Sequence, residues 1–216
     1  MKQAPRPRRL GVFGGAFDPP HWAHVALARA ALAQLGLDEL RIMPTGQAWH
    51  KARPLSPAPH RLAMAKLAFE GLPGVVVDER EIRREGPTYT IDTLEALAAE
   101  HAQLHAQPLE LYLLMGGDQW AALASWHRWQ DIAHQARLCV WARPGAPRPQ
   151  LEGVPAPIWL EAPPQEISAT AVREGLKDGR LSPQDLDALL PEAVARYISA
   201  HGLYGHPQPG PPALNA

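Results

Sequence analysis

Residues 10–24 read LGVFGGAFDPPHWAH. Leu10 to Phe13 predicts a short strand, Gly14 to Pro20 a turn, and His21 to Leu35 a helix closed by Gly36, a residue that enters the left-handed region at no steric cost. Glu39 to Met43 resumes as a strand. A strand, a helix and a second strand in this order imply a parallel pair joined by a right-handed crossover. The alternation continues outward. A Pro-rich loop over Thr45 to Pro59 leads to a helix from His60 to Glu70 and a strand from Val75 to Asp78. A charged excursion, Glu79 to Thr88, precedes a helix from Ile91 to His105. Strands follow at Leu109 to Met115, Arg137 to Ala142 and Ile158 to Glu161, with a short helix after Asp118. Beyond Ile167 only helices are predicted: one opening near Ser168, one capped by Ser182 with Pro183 in its first position, and one from Pro191 to His201. The expected fold is α/β, a parallel sheet of five or six strands flanked by helices, with a small C-terminal helical appendage.

Bulk composition narrows the function. The chain has 216 residues, enough for one core, and 21 Lys and Arg nearly balance 22 Asp and Glu. No global field recruits nucleic acid or a membrane surface, so the expected ligand is small. Cys139, the single cysteine, cannot form an intrachain disulfide and lies in an apolar strand, which suits a reducing compartment. The start, MKQAPRPRRL, is basic but lacks the apolar run of a signal peptide, and no stretch is apolar over about 18 residues. A cytoplasmic protein is expected. Residues 1–9 read as a flexible N-terminus, 10–204 as one domain whose part from about 168 is helical, and the Pro-rich 205–216 as a disordered tail.

A strand ending in Gly14-Gly15 and running into a helix at His21 offers backbone N–H groups and a positive helix end to an anion, most simply a phosphate. His21 and His24, three apart, fall on one face of the first helical turn and reach the same anion. The pair alone is weak evidence, because 10 histidines in such a chain give roughly half an HxxH pair by chance. Zinc ligation is the competing reading, although no nearby Cys or Glu supplies a third ligand. So is ordinary helix entry, with Asp18 as cap and two solvated imidazoles. About 145 residues later, ISATAVR (Ile167 to Arg173) places Ser168 and Thr170, good capping residues, beside Arg173. This is a second anion cradle, or else a capped surface helix with a solvated arginine.

GGAFDPPHWAH (Gly14 to His24) resembles the GGTFDPxHxGH signature of Rossmann-like nucleotidyltransferases with an HxGH motif, and ISATAVR resembles their ISSTxxR signature. With TYTIDTL (Thr88 to Leu94) and the spacing from Asp118 to Trp126, the chain is similar nearly end to end to the nicotinate-mononucleotide adenylyltransferases of bacterial NAD synthesis. The resemblance implies transfer of AMP from ATP to nicotinate mononucleotide, giving nicotinate adenine dinucleotide and pyrophosphate. It assigns His21, His24 and Arg173 to catalysis. ATP is expected on Gly14, Gly15, Phe17, Asp118, Ile167, Ser168, Thr170 and Arg173, and nicotinate mononucleotide on Lys51, Thr90, Trp126 and His127. Trp126 would stack on the charged ring, whereas from the residues alone Trp126 and Trp129 read equally well as core aromatics at helical spacing. Lys51, in His50-Lys51, would meet phosphate or stand idle on the surface, and Arg143 in ARPG would lie near ATP. Mg²⁺ is expected to arrive with ATP, with no metal site on the protein itself. A homo-oligomer is left open.

Four positions depart from the family pattern: Ala16 for Thr, Ala23 for Gly, Ala169 for Ser and His127 for Tyr. They remove possible hydroxyl contacts to phosphate, limit how closely ATP approaches the helix, and leave open how the acceptor carboxylate is held. Nicotinamide mononucleotide or phosphopantetheine remain alternative acceptors. A non-catalytic nucleotide sensor is the alternative of a different class.

Overall fold

The computed structural model describes residues 5–46, 55–142, 145, 147–162 and 167–205. Its elements are β1 (Arg8–Gly15), α1 (Trp22–Leu35), β2 (Glu39–Pro44), α2 (Ala58–Phe69), β3 (Val75–Val77), α3 (Arg80–Arg83), α4 (Thr90–Leu104) and β4 (Leu109–Gly116). There follow α5 (Gly117–Ala121), α6 (Trp129–Gln135), β5 (Ala136–Trp141), β6 (Ile158–Leu160), α7 (Ala169–Lys177), α8 (Pro183–Leu189) and α9 (Glu192–Ala200), with single 3₁₀ turns at Leu123–Ser125 and Leu203–Gly205.

All strand pairs are parallel and the sheet order is β3-β2-β1-β4-β5-β6. This is the doubly wound Rossmann-like arrangement, and its direction reverses between β1 and β4. Crossovers leave that point on opposite faces of the sheet, so a crevice opens at the carboxyl ends of these two strands, where such sheets bind ligands.

Alternation along the central strands feeds two cores. Leu10 and Val12 of β1, and Leu111, Leu113 and Met115 of β4, pack with Ile91, Leu94 and Leu97 of α4 and Ile132 of α6. Phe13, Tyr112 and Leu114 point the other way, against Val25, Ala28 and Ala31 of α1 and Met64, Ala65 and Ala68 of α2. The C-terminal helices join this second core through Val172, Leu176, Leu186, Leu190, Val194 and Ile198. Each fully buried aliphatic side chain contributes roughly 1.5–3 kcal/mol. The C-terminal appendage is therefore welded to the sheet, and Trp22 adds a bond from Nε1 to the Asp187 carbonyl at 3.2 Å.

Several boundaries differ from the sequence reading for local reasons. β1 extends through the expected glycine turn, because Gly14 and Gly15 pair with Met43 and Pro44. It also begins at Arg8, inside the segment expected to be flexible. Arg8 pairs with Glu39 at 2.6 Å, and the Arg9 N–H donates to Asp38 at 2.8 Å. α2 starts two residues early, since prolines are tolerated in a first helical turn. The charged excursion contains α3. Trp126 and Trp129 do not share a helix: Arg128, at φ 52°, turns the chain between them and starts α6. Among the described residues no helix is long and apolar enough to cross a membrane. Residues 206–216 of the expected tail, together with His50, Lys51 and Arg143, lie outside the described residues.

Candidate nucleotide site

The segment between β1 and α1 is built against the reversal of the sheet. Gly14 is exposed, and a Cβ built there would meet nothing within 4 Å, which leaves open room above the end of β1. At Gly15 a Cβ would come within 3.1 Å of the Phe17 ring. That ring is 1% exposed and packs edge-on against Phe13, Phe69 and His24. Phe17 adopts φ 48°, a conformation that costs a residue with a side chain roughly 1–2 kcal/mol and persists because its ring is locked in the core.

His21, not Asp18, is the N-cap of α1. The His21 N–H donates to Nδ1 of His24 at 3.2 Å, and the two imidazoles stack with centroids 3.8 Å apart. Because Nδ1 of His24 accepts, the ring proton sits on Nε2 and makes that atom the donor. The sequence expectation that both imidazoles share one face of the first turn is met.

The second motif comes to the same place. Ser168 caps α7 by accepting from the Ala171 N–H at 3.1 Å. Arg173, one turn into the helix, donates through Nη2 to Thr170 Oγ1 at 3.0 Å and through Nη1 to the Asp18 carbonyl at 2.7 Å. Its guanidinium thus spans from α7 to the turn that precedes the histidines.

Beneath the turn lies a polar frame that sequence reasoning missed. Asp18 is 1% exposed, and its carboxylate accepts from the Tyr204 O–H at 2.7 Å and from the Ser56 N–H at 3.3 Å. Arg61, 2% exposed, donates to the carbonyls of Ser56, Ala16, Thr45 and Gly46 at 2.7–3.2 Å. Burial pulls the Arg61 pKa down and the Asp18 carboxylate opposes that shift. The signal for Arg61 was present, since it lies on the apolar stripe of α2 with Met64, Ala65 and Ala68. A charge in such a stripe must be paired or saturated with acceptors.

The other side of the crevice carries the expected acceptor residues. Thr90 opens α4, and the ring of the preceding Tyr89 lies against His127 with centroids 4.3 Å apart. Trp126 is half-buried against the core on the α4 face. Thr88 Oγ1 is buried without a hydrogen-bond partner among the described residues. Asp118 is exposed in the first turn of α5, just past the end of β4. Ala23 is 4% exposed, with its methyl packed in protein interior at the start of α1. Among the described residues no three His, Cys, Asp or Glu side chains converge as metal ligands. A separate cavity of about 590 Å³, lined by His101, His105 and Leu109, lies at the opposite end of β4, away from the crevice.

The cytidylyltransferase-like family model matches residues 12–175. The chain is 50% identical to a probable nicotinate-nucleotide adenylyltransferase of Albidiferax ferrireducens, over 91% of this chain and 98% of that one. It is 41% identical to one of the same description from Methylibium petroleiphilum, over 99% and 100%. In fold it resembles the Plasmodium falciparum nicotinic acid mononucleotide adenylyltransferase complexed with NaAD, with a TM-score of 0.75, 17% identity, and coverage of 93% of this chain and 98% of that chain.

Proposed function

The chain belongs to the nicotinate-nucleotide adenylyltransferase family, within the cytidylyltransferase-like group, and we propose that it transfers AMP from Mg·ATP to nicotinate mononucleotide. The products are nicotinate adenine dinucleotide and pyrophosphate, a step of NAD biosynthesis. The observation that carries the reading is the bond from Arg173 to the Asp18 carbonyl, which joins the two anion-binding motifs at the reversal of the sheet.

ATP lies with its phosphates between the β1–α1 segment and the start of α7. The backbone at Gly14 and Gly15 and the positive end of α1 receive the anion. Arg173 and Thr170 hold the β and γ phosphates, with Ser168 fixing the helix start that presents them. His21 and His24 face the phosphate at which transfer occurs, and the Nε2–H of His24 donates to the charge that builds on it. Ile167 shapes the apolar wall, Phe17 holds the β1–α1 segment beside ATP by its buried ring, and Asp118 meets ATP from the end of β4. Mg²⁺ enters as part of the substrate and shares the phosphate charge.

On the far side, Trp126 stacks on the nicotinate ring, and Thr90 and His127 offer polar contacts to its rim; Lys51 is assigned to the acceptor phosphate. The nucleophile, a phosphate oxygen of the acceptor, is already an anion, so the step needs no general base. It breaks the bond between the α and β phosphates of ATP in line with attack, and pyrophosphate carries away the charge. Rate comes from alignment and from donors placed where charge develops.

The test is pyrophosphate release from Mg·ATP with nicotinate mononucleotide, nicotinamide mononucleotide and phosphopantetheine supplied in parallel. Release with the first, at a kcat/KM well above the other two, is expected. Tight ATP binding without release on any acceptor would identify a sensor instead.

A further inference from the structure

Among the described residues, the non-glycine residues with positive φ are Phe17, Arg128 and Tyr204, and two of these three meet at Asp18. Phe17, at φ 48°, precedes it in the chain, and Tyr204, at φ 59° in the Leu203–Gly205 turn, donates its hydroxyl hydrogen to Asp18 Oδ1 at 2.7 Å across 186 residues of sequence. Strained backbone of this kind lasts only where surrounding contacts over-determine it. Such contacts surround this turn. The 3₁₀ turn packs on α7, where a Cβ on Gly205 would lie 3.5 Å from the Lys177 Cα. Leu203 and Tyr204 also pack against the core that holds α1 and α2.

We propose that Tyr204 is a positioning residue for the ATP-phosphate site, setting through Asp18 the placement of both the β1–α1 segment and Arg173. Asp18 divides its acceptors between three parts of the chain. Its carboxylate takes Tyr204 and the Ser56 N–H, and its carbonyl takes Arg173. An O–H···carboxylate bond is short, directional and charge-assisted, so it ties the Cα of Asp18 to the C-terminal turn, while Arg173 holds the carbonyl of the same residue. Burial and the facing Asp18 carboxylate raise the phenol pKa, so Tyr204 remains a donor throughout the physiological range. The C-terminal turn thereby acts on ATP without touching it. This inference rests on the assignment of Arg173 to the ATP phosphates.

The experiment compares Tyr204→Phe, which deletes only the hydroxyl, with Leu203→Ala, which loosens the same turn but leaves that bond. Binding of ATP and of AMP is measured by calorimetry, and kcat and KM by pyrophosphate release. For Tyr204→Phe the ATP Kd rises about 10-fold, more than that of AMP, which lacks the phosphates Arg173 holds, and kcat falls about 10- to 100-fold, as expected for a misplaced reacting group. The KM for nicotinate mononucleotide stays within twofold. Leu203→Ala lowers Tm and keeps the wild-type kcat and ATP Kd. A Tyr204→Phe protein with wild-type ATP affinity and kcat overturns the proposal, as does a loss that Leu203→Ala reproduces. Because the ATP and AMP affinities are read without turnover, a wild-type protein that releases no pyrophosphate would fail the functional reading while leaving this comparison decisive.

Discussion

Arg173 reaches Asp18 across 155 residues of sequence and donates to its carbonyl at 2.7 Å. The same guanidinium holds Thr170 at 3.0 Å. Its two nitrogens are thus aimed by protein groups before any nucleotide arrives, and a preorganised fork loses less entropy when phosphate binds. The bond also explains why two motifs so far apart in the chain act as one site: α7 is oriented by the turn it faces, and the turn by α7.

Arg173→Lys removes that fork and keeps the charge. A lysine makes one of the two anchoring bonds at a time and cannot grip phosphate bidentately. kcat/KM for ATP is expected to fall about 10- to 100-fold, equivalent to roughly 1.4–2.8 kcal/mol, with little change in the acceptor KM. Steady-state assays with each substrate varied in turn check this, and an unaltered ATP kcat/KM would remove Arg173 from the site.

His24→Ala should act on turnover more than on binding. Loss of one donor aimed at transition-state charge costs about 10²- to 10³-fold in rate. ATP retains the backbone at Gly14 and Gly15, Arg173 and the end of α1, so its Kd should move by less than about threefold. Rapid-quench single turnovers paired with ATP calorimetry separate the two quantities. A kcat unchanged by the substitution would count against His24 as the donor.

The sheet was legible in the sequence because its strands carry apolar runs bounded by glycine and proline, and the helices start at readable caps such as Ser168 and Ser182. The paired histidines were legible from their position after Gly14-Gly15. Asp18 and Tyr204 were not, since their meaning lies in contacts between distant segments: Asp18 suggested a local helix cap, and its partner Tyr204 lies 186 residues away. The left-handed turn at Arg128 also hid behind spacing that suited a helix.

Trp126→Ala tests the acceptor side. Stacking of a flat cationic ring on an aromatic face is worth about 1–2 kcal/mol, so the KM for nicotinate mononucleotide should rise about 5- to 30-fold while the ATP KM holds. The side chain also packs against the core that contains Ile91, Leu94 and Leu97 of α4. Tm must therefore be recorded alongside. A lowered Tm with both KM values unchanged would assign Trp126 to packing alone.

Glu81 couples stability to pH beside this pocket. It is 7% exposed, accepts from Thr93 Oγ1 at 2.9 Å, and its backbone carbonyl packs so closely on Gly46, just past β2, that a Cβ there would not fit. Burial, opposed by the Thr93 bond and by Arg84, pushes its carboxyl from 4.5 up to about 7. The folded state then holds this proton more tightly than the unfolded chain. Its contribution is fully present below pH 4.5 and is lost as pH rises toward about 7. Each pKa unit corresponds to about 1.4 kcal/mol, so the loss is on the order of 3 kcal/mol. Glu81→Gln keeps an acceptor for Thr93 and has nothing to ionise. Urea unfolding of both proteins at pH 4.5, 6 and 8 should give similar stabilities at the lowest pH and an increasingly more stable variant as pH rises. Groups common to both proteins cancel in the difference, so a gap that stays constant across the three pH values would show that Glu81 does not titrate in this window.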